Sequence, residues 1–398
     1  MTMQNSHLQE AINRCGSSFY FYDLDQFEAH LKSIKATLHP DIKVWYACKA
    51  NPLSEVLKIL KNEGFGIDVA SLGELQQARG VGFEEKDLIA TGPAKSRTYL
   101  GALLQAQVGC IIIESENQLK DLNELCGKLA IKQDVLLRVQ LDWEGEAKSV
   151  LGGSAITPFG LGMDDWKQID VKSFKNINIQ GLHCFQWGNI LDVSELRTLW
   201  AHTMKSCREL AMKLGIELKI LDLGGGLGLS YSDNRSMDFK KVHAALLELK
   251  GQYELNQIWL ELGRFSIGNF GSYLTKIVDL KTVRGKNLIV TEGGINHMAR
   301  PALVGESFPC EAFMNSSESK KRFTVHGPLC TALDNLGEFD LPENLAVGDW
   351  LMFKKTGAYG FSESMPYFLC HNLVGEAIVY QNELMIPRVP ETNLEWMV

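Results

Sequence analysis

Short apolar runs recur along the first two thirds of this chain, and most of the gaps between them show helical periodicity. Strands that alternate with helices are typical of a parallel sheet, and eight strands is the number in a closed (β/α)8, or TIM, barrel. An open, doubly wound sheet has the same local pattern, and a count of runs does not show whether the sheet closes. The eight runs are residues 43–49, 64–70, 87–91, 110–113, 135–139, 179–184, 220–223 and 258–262.

The pattern changes after residue 264, where apolar runs follow one another without long helices between them. We therefore expect a C-terminal antiparallel β-domain, with which the early run 19–22 could pair. The expected boundaries are 26–264 for the barrel, and 1–25 with 265–398 for the β-domain. The later runs are 273–283, 288–291, 322–326, 351–356 and 377–383. The segment 314–321, rich in Ser and Lys, is the expected linker.

Composition excludes several classes of protein. The chain has 398 residues, 45% hydrophobic content and a net charge of −8, without a basic block, so nucleic acid is not an expected partner. No stretch reaches the roughly 18 apolar residues of a membrane span. The nine cysteines are scattered and include no CxxC pair, which argues against a zinc ribbon or a disulfide framework. We expect a reduced, cytoplasmic enzyme with no metal site.

Lys49 follows directly on an apolar and aromatic run, Val44-Trp45-Tyr46-Ala47-Cys48. Burial at a strand end would disfavour the ammonium, lower the lysine pKa and create a nucleophilic amine of the kind that forms Schiff bases. The alternative is a lysine that extends its charged end into solvent and only solubilises the strand end.

Other polar residues also fall at strand ends, where a TIM barrel carries its active site. The three glycines 224–226 follow the seventh run, and their amides could bind a phosphate or simply form a left-handed turn. Glu261 ends the eighth run and could act on a ligand or pair with Arg264. The remaining residues of this group are Asp68, Arg138 and His183.

A lysine, an anion cradle and a carboxylate together indicate pyridoxal 5'-phosphate (PLP) chemistry, because a protonated pyridine ring stabilises a carbanion at the substrate Cα. Six ordered motifs make the chain resemble the fold-type III PLP-dependent decarboxylases, the group of diaminopimelate and eukaryotic-type ornithine decarboxylases. The resemblance runs from about residue 19 to residue 379 and implies an alanine-racemase-like barrel with a C-terminal β-domain. The motifs begin at Tyr46 (YACKAN), Asp68 (DVASLGEL), Leu221 (LDLGGG), Glu261 (ELGR), Gly327 (GPLC) and Gly357 (GAYG).

The resemblance implies a role for each matched position. Lys49 would form the Schiff base, Glu261 would contact the pyridine nitrogen, and Cys330 would be supplied by the partner subunit of a head-to-tail homodimer to reprotonate Cα. The phosphate would be held by Gly224, Gly225, Gly226, Gly263, Arg264 and Tyr359, and the cofactor pocket would be lined by Asp68, Arg138 and His183.

The chain departs from the family pattern at three places. Phe185 stands where a ring-stacking histidine is common, and the following Gly-Ser pattern is replaced by Gln186-Trp187-Gly188-Asn189. Thr331 follows Cys330, where diaminopimelate and ornithine decarboxylases have an acid that binds the distal amine. Asp334 and Glu363 are candidates for that missing charge.

The missing acid argues against a free diamino acid. The run Gly293–Ala302 resembles the branch that decarboxylates citryl-diaminopropionate conjugates in carboxylate-siderophore biosynthesis, and His297 and Arg300 would suit a polycarboxylate. An ion pair elsewhere is the alternative for Arg300. Decarboxylases of diaminopimelate, ornithine, lysine or carrier-tethered amino acids remain alternatives, as do a racemase, which Glu261 argues against, and a non-catalytic regulator with the same fold.

Overall fold

The structure is a computed structural model that describes residues 3–142, 156–233, 235–314, 318–392 and 394. The chain divides into two units. The first consists of His30–Leu229 and Arg235–Phe265, and the second of Met1–Ala29, Ser230–Asn234 and Ser266–Val398. Residues 315–317 of the expected linker lie outside the described residues.

The strands are numbered in chain order. They are β1 Phe19–Asp23, β2 Ile42–Ala47, β3 Gly66–Val69, β4 Leu88–Ala90, β5 Cys110–Ile113, β6 Gln133–Gln140, β7 Leu161–Gly162, β8 Ile177–His183, β9 Ile220–Asp222, β10 Gln257–Leu262, β11 Gly271–Val283, β12 Lys286–Thr291, β13 Cys310–Phe313, β14 Lys320–His326, β15 Asn335–Pro342, β16 Trp350–Lys354, β17 Gly375–Tyr380 and β18 Glu383–Arg388.

The helices are numbered in the same way. They are α1 Met3–Cys15, α2 Leu24–Thr37, α3 Ser54–Asn62, α4 Leu72–Val81, α5 Arg97–Gln105, α6 Glu116–Leu129, α7 Met163–Lys167, α8 Val193–Leu214, α9 Phe239–Gln252, α10 Arg264–Ile267 and α11 Arg300–Val304. Several begin at a serine or aspartate whose side chain accepts a main-chain N–H, as Ser71 does for α4 and Asp192 for α8.

The first unit is a closed barrel of eight parallel strands. Its order is β2-β3-β4-β5-β6-β8-β9-β10, and pairing of β5 with β6 and of β10 with β2 completes the circle. The two-residue strand β7 extends the sheet beside β6. The predicted barrel is therefore confirmed, and the open sheet is excluded.

Apolar side chains fill part of the barrel interior. Trp45 and Trp259 meet edge to face with ring centroids 5.0 Å apart, and they pack with Ile89, Ile112 and Leu136. A Cβ on Gly66 would lie 2.3 Å from the Trp45 ring, so only glycine leaves room for the indole there. This packing leaves the carboxyl ends of the strands to the polar residues.

The second unit is built on a nine-stranded sheet with the order β15-β14-β12-β11-β1-β17-β18, while β16 pairs with β11 and β13. Most pairs are antiparallel, as expected, but β1 pairs with β17 and β12 with β14 in parallel. The pairing of β1 with β11 and β17 confirms the prediction for the run 19–22.

Helix α1 was not predicted, because most of its residues are polar. Leu8, Ala11 and Ile12 are buried against Phe19 and Leu274 of the β-domain. Tertiary packing of this one face, rather than helix propensity, stabilises α1.

Within the described residues, no helix combines the length and the apolar character needed to cross a lipid bilayer. All nine cysteines lie in the described part of the chain, and each carries a free thiol.

Candidate active site

Lys49 does not lie on the first barrel strand. Strand β2 ends at Ala47, and Lys49 occupies a single 3-10 turn, Cys48–Ala50, in which its side chain is exposed. The expectation of a buried lysine was wrong, because the chain turns before the position of Lys49. Its positive charge nevertheless favours the ionised forms of Asp68 and Glu261, although burial raises the pKa of Asp68, so the amine lies close enough to act on both carboxyl groups.

Asp68 lies inside the barrel, on β3. Thr91 donates a hydrogen bond of 2.7 Å to its Oδ1, and burial, followed by the charge of Glu261, raises the pKa of the carboxyl group well above its ordinary value. Glu74 lies nearby at the start of α4 and accepts a 2.7 Å hydrogen bond from the main-chain nitrogen of Ala70.

His183, Asp222 and Glu261 come together at the ends of the adjacent strands β8, β9 and β10. One ligand atom from each lies within 4.8 Å of the others, and all three residues are buried. Nε2 of His183 is 3.2 Å from Oε1 of Glu261, but the alignment does not suit a hydrogen bond. Both imidazole nitrogens, Oε1 of Glu261 and Oδ2 of Asp222 therefore lack a hydrogen-bond partner among the described residues.

The charge state of this cluster follows from its surroundings. Burial lowers the pKa of His183 despite the nearby Glu261, so we take its imidazole as neutral. Burial alone would raise the pKa of Glu261, but neighbouring positive charges, those of Lys49 and Arg138 among them, help to hold it below its ordinary value. Glu261 is therefore an anion with unused hydrogen-bonding capacity.

The three glycines 224–226 form a loop that follows β9, two residues after Asp222 of the cluster. Gly224 and Gly226 have φ values of +63° and +101°, and a Cβ on Gly225 would lie 2.6 Å from the carbonyl oxygen of Glu261. Side chains are therefore excluded from the loop, which leaves its main chain open to close approach by an anion.

Phe185 packs on this loop. A Cβ on Gly224 would lie 2.7 Å from its side chain, and one on Gly188 would lie 3.3 Å from its ring. The main-chain nitrogen of Ile190 donates a 2.9 Å hydrogen bond to Gly226, so the altered segment after His183 is tied to the glycine loop.

A second buried cluster consists of Lys95, Glu114 and Arg138. Oε1 of Glu114 is 3.6 Å from Nζ of Lys95 and 3.2 Å from a guanidinium nitrogen of Arg138. Burial, opposed by Glu114, lowers the pKa of Lys95 to about 8. The ring of Phe159 lies 4.7 Å from the guanidinium carbon of Arg138. Arg138 is thus held in a fixed position at the end of β6.

Four of the barrel residues described above were not predicted as site candidates, namely Glu74, Lys95, Glu114 and Asp222. Glu114 and Asp222 each come at or directly after the end of an apolar strand, which is the signal that singled out Asp68 and Glu261. Glu74 follows Ser71 at the spacing of a capping box, so its sequence signal points to a helix start rather than to a site. Lys95 comes five residues after β4 and carries no such signal.

The candidates in the β-domain are placed differently. Asp334 is buried, and its oxygens accept hydrogen bonds of 2.8 Å from the main-chain nitrogen of Ile295 and 2.7 Å from that of Leu329. Its carboxylate joins the loop that carries Cys330 to the loop 293–298. A substrate-binding role for Asp334 stays a prediction, and these two hydrogen bonds argue against it.

His297 is also buried and fully hydrogen-bonded. Its Nδ1 lies 3.0 Å from the hydroxyl of Tyr273, and its Nε2 lies 2.8 Å from the carbonyl oxygen of Asn372. A carbonyl only accepts, so Nε2 carries the proton and Nδ1 accepts from the tyrosine. Burial is the main cause that lowers the pKa of His297 to about 4.

Arg300 forms an ion pair with Glu363 at 3.4 Å, and its guanidinium lies 5.9 Å from the ring of Tyr359. Tyr359 has a φ of +54°, which is uncommon for a residue with a side chain. Cys330 is exposed and Thr331 half-buried. The β-domain therefore groups Arg300, Tyr359 and Glu363, while Cys330 presents its thiol at the surface.

The barrel residues fit PLP. The cofactor needs an anion site, a group that holds a proton on the ring nitrogen, and an amine. The glycine loop is open to an anion, Oε1 of Glu261 is a buried anionic acceptor without a hydrogen-bond partner among the described residues, and Lys49 acts on Glu261 and Asp68.

Comparisons with known proteins agree with this fit. The model of the pyridoxal-binding domain of pyridoxal-dependent decarboxylases matches residues 24–268. An L-glutamyl-[BtrI acyl-carrier protein] decarboxylase of Niallia circulans is 28% identical over 387 residues, which cover 93% of this chain and 90% of that protein. A diaminopimelate decarboxylase of Neisseria meningitidis is 30% identical, with 95% of this chain and 91% of that protein covered.

The fold is shared with solved structures as well. Diaminopimelate decarboxylase of Helicobacter pylori, in complex with L-lysine, superimposes with a TM-score of 0.88 at 24% identity, with 98% of each chain covered. The chain belongs to the pyridoxal-dependent decarboxylases and is a carboxy-lyase that uses PLP as its cofactor.

Proposed function

We propose that this enzyme removes the α-carboxylate of an amino acid whose far end is joined to a larger group, rather than that of a free diamino acid. The observation that carries the proposal is the environment of Cys330. Thr331 follows it, and Asp334, the next acid along the chain, has both oxygens occupied by main-chain N–H groups. A free distal ammonium would require a buried or nearby carboxylate that is available to it.

PLP, when bound, supplies the electron sink that stabilises the carbanion left by CO₂. Lys49 would hold the cofactor covalently, and Glu261 would keep the proton on the ring nitrogen. The glycines 224–226, with Gly263 and Arg264, would hold the phosphate. Asp68, Arg138 and His183 would line the pocket, and Phe185, which already packs on the glycine loop, would lie against the ring.

Cys330 would return a proton to Cα in the site of a partner subunit, which makes the enzyme a homodimer with shared sites. Two features of the β-domain support this. The thiol of Cys330 is exposed, and an apolar run beyond Glu363 exposes 41–48% of each of Met365, Tyr367, Phe368 and Leu369. Apolar side chains at this density on a surface are typical of a subunit contact.

Arg300 supports a substrate with extra carboxylates. Its guanidinium already contacts the carboxylate of Glu363, and a substrate carboxylate can take the place of that side chain. A citryl-diaminopropionate conjugate of carboxylate-siderophore biosynthesis meets this requirement and lacks a free distal amine, so we rank it first.

A glutamyl group on a carrier protein is the second candidate. The Niallia circulans relative, named as an L-glutamyl-[BtrI acyl-carrier protein] decarboxylase, favours it. The net charge of −8 disfavours the docking of an acidic carrier protein.

The test is to measure CO₂ release by the PLP-loaded enzyme with each substrate in turn. We expect release from citryl-diaminopropionate and none from diaminopimelate, ornithine or lysine. Release only from a carrier-bound glutamyl group would select the second candidate. Release only from a free diamino acid would overturn the proposal and return Glu363 to the role of a distal-amine ligand.

Arg300→Lys and Arg300→Gln sharpen this test. If the guanidinium binds a substrate carboxylate, both variants raise KM for the conjugate by about tenfold or more while PLP remains bound. An unchanged KM would show that Arg300 serves only its ion pair with Glu363.

A further inference from the structure

Asp222 is a buried acid, and none of the roles proposed above involves it. It ends β9 with no exposed surface, and its Oδ1 accepts a 2.8 Å hydrogen bond from the main-chain nitrogen of Gly224. Its Oδ2 has no hydrogen-bond partner among the described residues. A buried carboxylate oxygen in this condition is costly, whether the group is ionised or neutral.

Glu261, on the adjacent strand β10, is in the same condition as Asp222. Its Oε1 has no hydrogen-bond partner among the described residues, and Asp222, Glu261 and His183 present ligand atoms within 4.8 Å of one another. The main-chain nitrogen of Glu261 also donates a 2.8 Å hydrogen bond to the carbonyl oxygen of Gly224. Asp222 and Glu261 are therefore both fastened to the same glycine.

Two buried carboxyl groups this close do not both ionise readily, whereas a single proton between them satisfies both unmatched oxygens. Glu261 is the better anion, because the positive charges of Lys49 and Arg138 favour its charged form. The proton then belongs on Asp222.

We infer that Asp222 is a protonated carboxylic acid whose Oδ2–H donates a hydrogen bond to Glu261, and that it acts as a positioning residue for that carboxylate. The inference rests on the proposed role of Glu261 at the pyridine nitrogen. Through Gly224 the same side chain is joined to the glycine loop, so Asp222 connects the two protein elements assigned to the ring nitrogen and the phosphate.

The groups that face Asp222 support this charge state. Burial is the largest cause that raises its pKa well above the ordinary value, followed by the charge of Glu261, and Asp68 on β3 adds to it. The main-chain amide of Gly224 opposes the shift. Cys110 on β5 is also close enough to interact electrostatically, and His183 lies on β8. None of the groups that shift the pKa of Asp222 is a positively charged side chain that would favour its ionised form.

The direct test is infrared difference spectroscopy of the full-length enzyme, with and without PLP. Asp222→Asn keeps an acceptor for Gly224 and a permanent donor for Glu261, so it imitates the neutral acid. Subtracting its spectrum from that of the wild type should reveal the C=O band of a protonated carboxyl group. Asp334→Asn is the matched control, since Asp334 is also buried but both of its oxygens accept main-chain hydrogen bonds, and its removal should show no such band.

Thermal unfolding at several pH values gives an independent readout. An acid whose pKa is raised by folding binds its proton more tightly in the folded state, so its contribution to stability is lost as the pH rises above about 4. Asp222→Asn lacks this loss. Its Tm should therefore exceed that of the wild type by an amount that grows from about pH 5 to about pH 8.

The affinity for PLP completes the test. Asp222→Ala removes the donor and leaves the amide of Gly224 unsatisfied, so PLP should bind about tenfold more weakly or worse, while Asp222→Asn should stay close to the wild type. If Asn impairs PLP binding as much as Ala does and no carboxyl band is found, Asp222 is ionised and the inference is wrong. A divalent cation held by Asp222, Glu261 and His183 would also require an ionised Asp222 and would give that result.

These outcomes are separable from the proposed function. If Glu261→Gln left turnover intact, the assigned role of Glu261 would fail, but the carboxyl band and the pH dependence of Tm would still report the proton on Asp222.

Discussion

The buried site cluster of the barrel and two buried residues of the β-domain differ in how their polar side chains are hydrogen-bonded. In the barrel, His183, Asp222 and Glu261 keep nitrogen or oxygen atoms without a hydrogen-bond partner among the described residues. In the β-domain, His297 and Asp334 are just as buried, but every side-chain nitrogen and oxygen is bonded to a neighbour. Unmet hydrogen-bonding capacity at three adjacent strand ends suits a ligand site, whereas the complete pairing of His297 and Asp334 suits residues that hold loops of the scaffold together.

The largest test of this contrast is Lys49→Ala. The variant should lose covalently bound cofactor and all CO₂ release, because no other amine at that position can take its place. Absorption of the bound cofactor and CO₂ release measure the two effects. Cofactor that stays attached after reduction with borohydride and denaturation would show that another lysine carries the group, and Lys95 would be the first to test.

Lys43→Ala is the matched control, since Lys43 lies near the start of β2, the strand that Lys49 follows. Its amine is 3.7 Å from the centre of the Trp45 ring, a contact worth about 1 kcal/mol. The variant should therefore be slightly less stable but should bind PLP and turn over normally.

Glu261→Gln is the next largest test. Glutamine is nearly isosteric but neutral, so it cannot hold the proton on a pyridine nitrogen. We expect PLP to remain bound while CO₂ release falls by about 10²-fold or more, the usual range for loss of one preorganised electrostatic partner. Turnover near that of the wild type would mean that the unpaired oxygen of Glu261 serves the protein and not the cofactor.

The sequence predicted the barrel and much of the site because both depend on local rules. Apolar runs end in polar residues where parallel strands end, and this placed Asp68, His183 and Glu261 correctly. Lys49 shows the limit of the rule, because strand length alone decides whether the residue after an apolar run is buried. Whether two buried acids such as Asp222 and Glu261 meet across strands depends on the register of β9 against β10, which no local pattern contains.

The β-domain was less predictable for a related reason. Strands β13, β15 and β18 were missed because many of their side chains are exposed and they carry weak apolar patterns. The pairing of His297 with Asn372 joins residues far apart in the chain, so no local pattern predicts it, and a substrate-binding role for His297 stays a prediction.

Asp334→Ala tests whether a fully hydrogen-bonded side chain of the β-domain stabilises the fold. It leaves the amides of Ile295 and Leu329 without acceptors, and we expect the free energy of unfolding to fall by about 3 kcal/mol. The loop that carries Cys330 should also loosen, which hydrogen exchange at Leu329 would report.

Asp340→Ala is the control for Asp334→Ala, because Asp340 is exposed and its side chain forms a surface pair with Arg322 at 3.0 Å. It should change stability little. Equal stability of the two variants would refute the view that Asp334 fastens the loop.

The smallest effect concerns His297 and appears only at low pH. Folding lowers the pKa of this imidazole to about 4, so between about pH 6.5 and that value the unfolded chain binds a proton that the folded protein does not. As the pH falls through this window, the free energy of unfolding should decrease by about 1.4 kcal/mol for each pH unit, relative to a variant that does not titrate. His297→Gln, which can still donate to the carbonyl of Asn372, serves as that variant, and chemical denaturation from pH 7 to pH 5 measures the difference. Parallel curves for the two proteins would mean that His297 takes up a proton without breaking its contacts, and the β-domain would then contain a titratable site of the kind that we assign to the barrel alone.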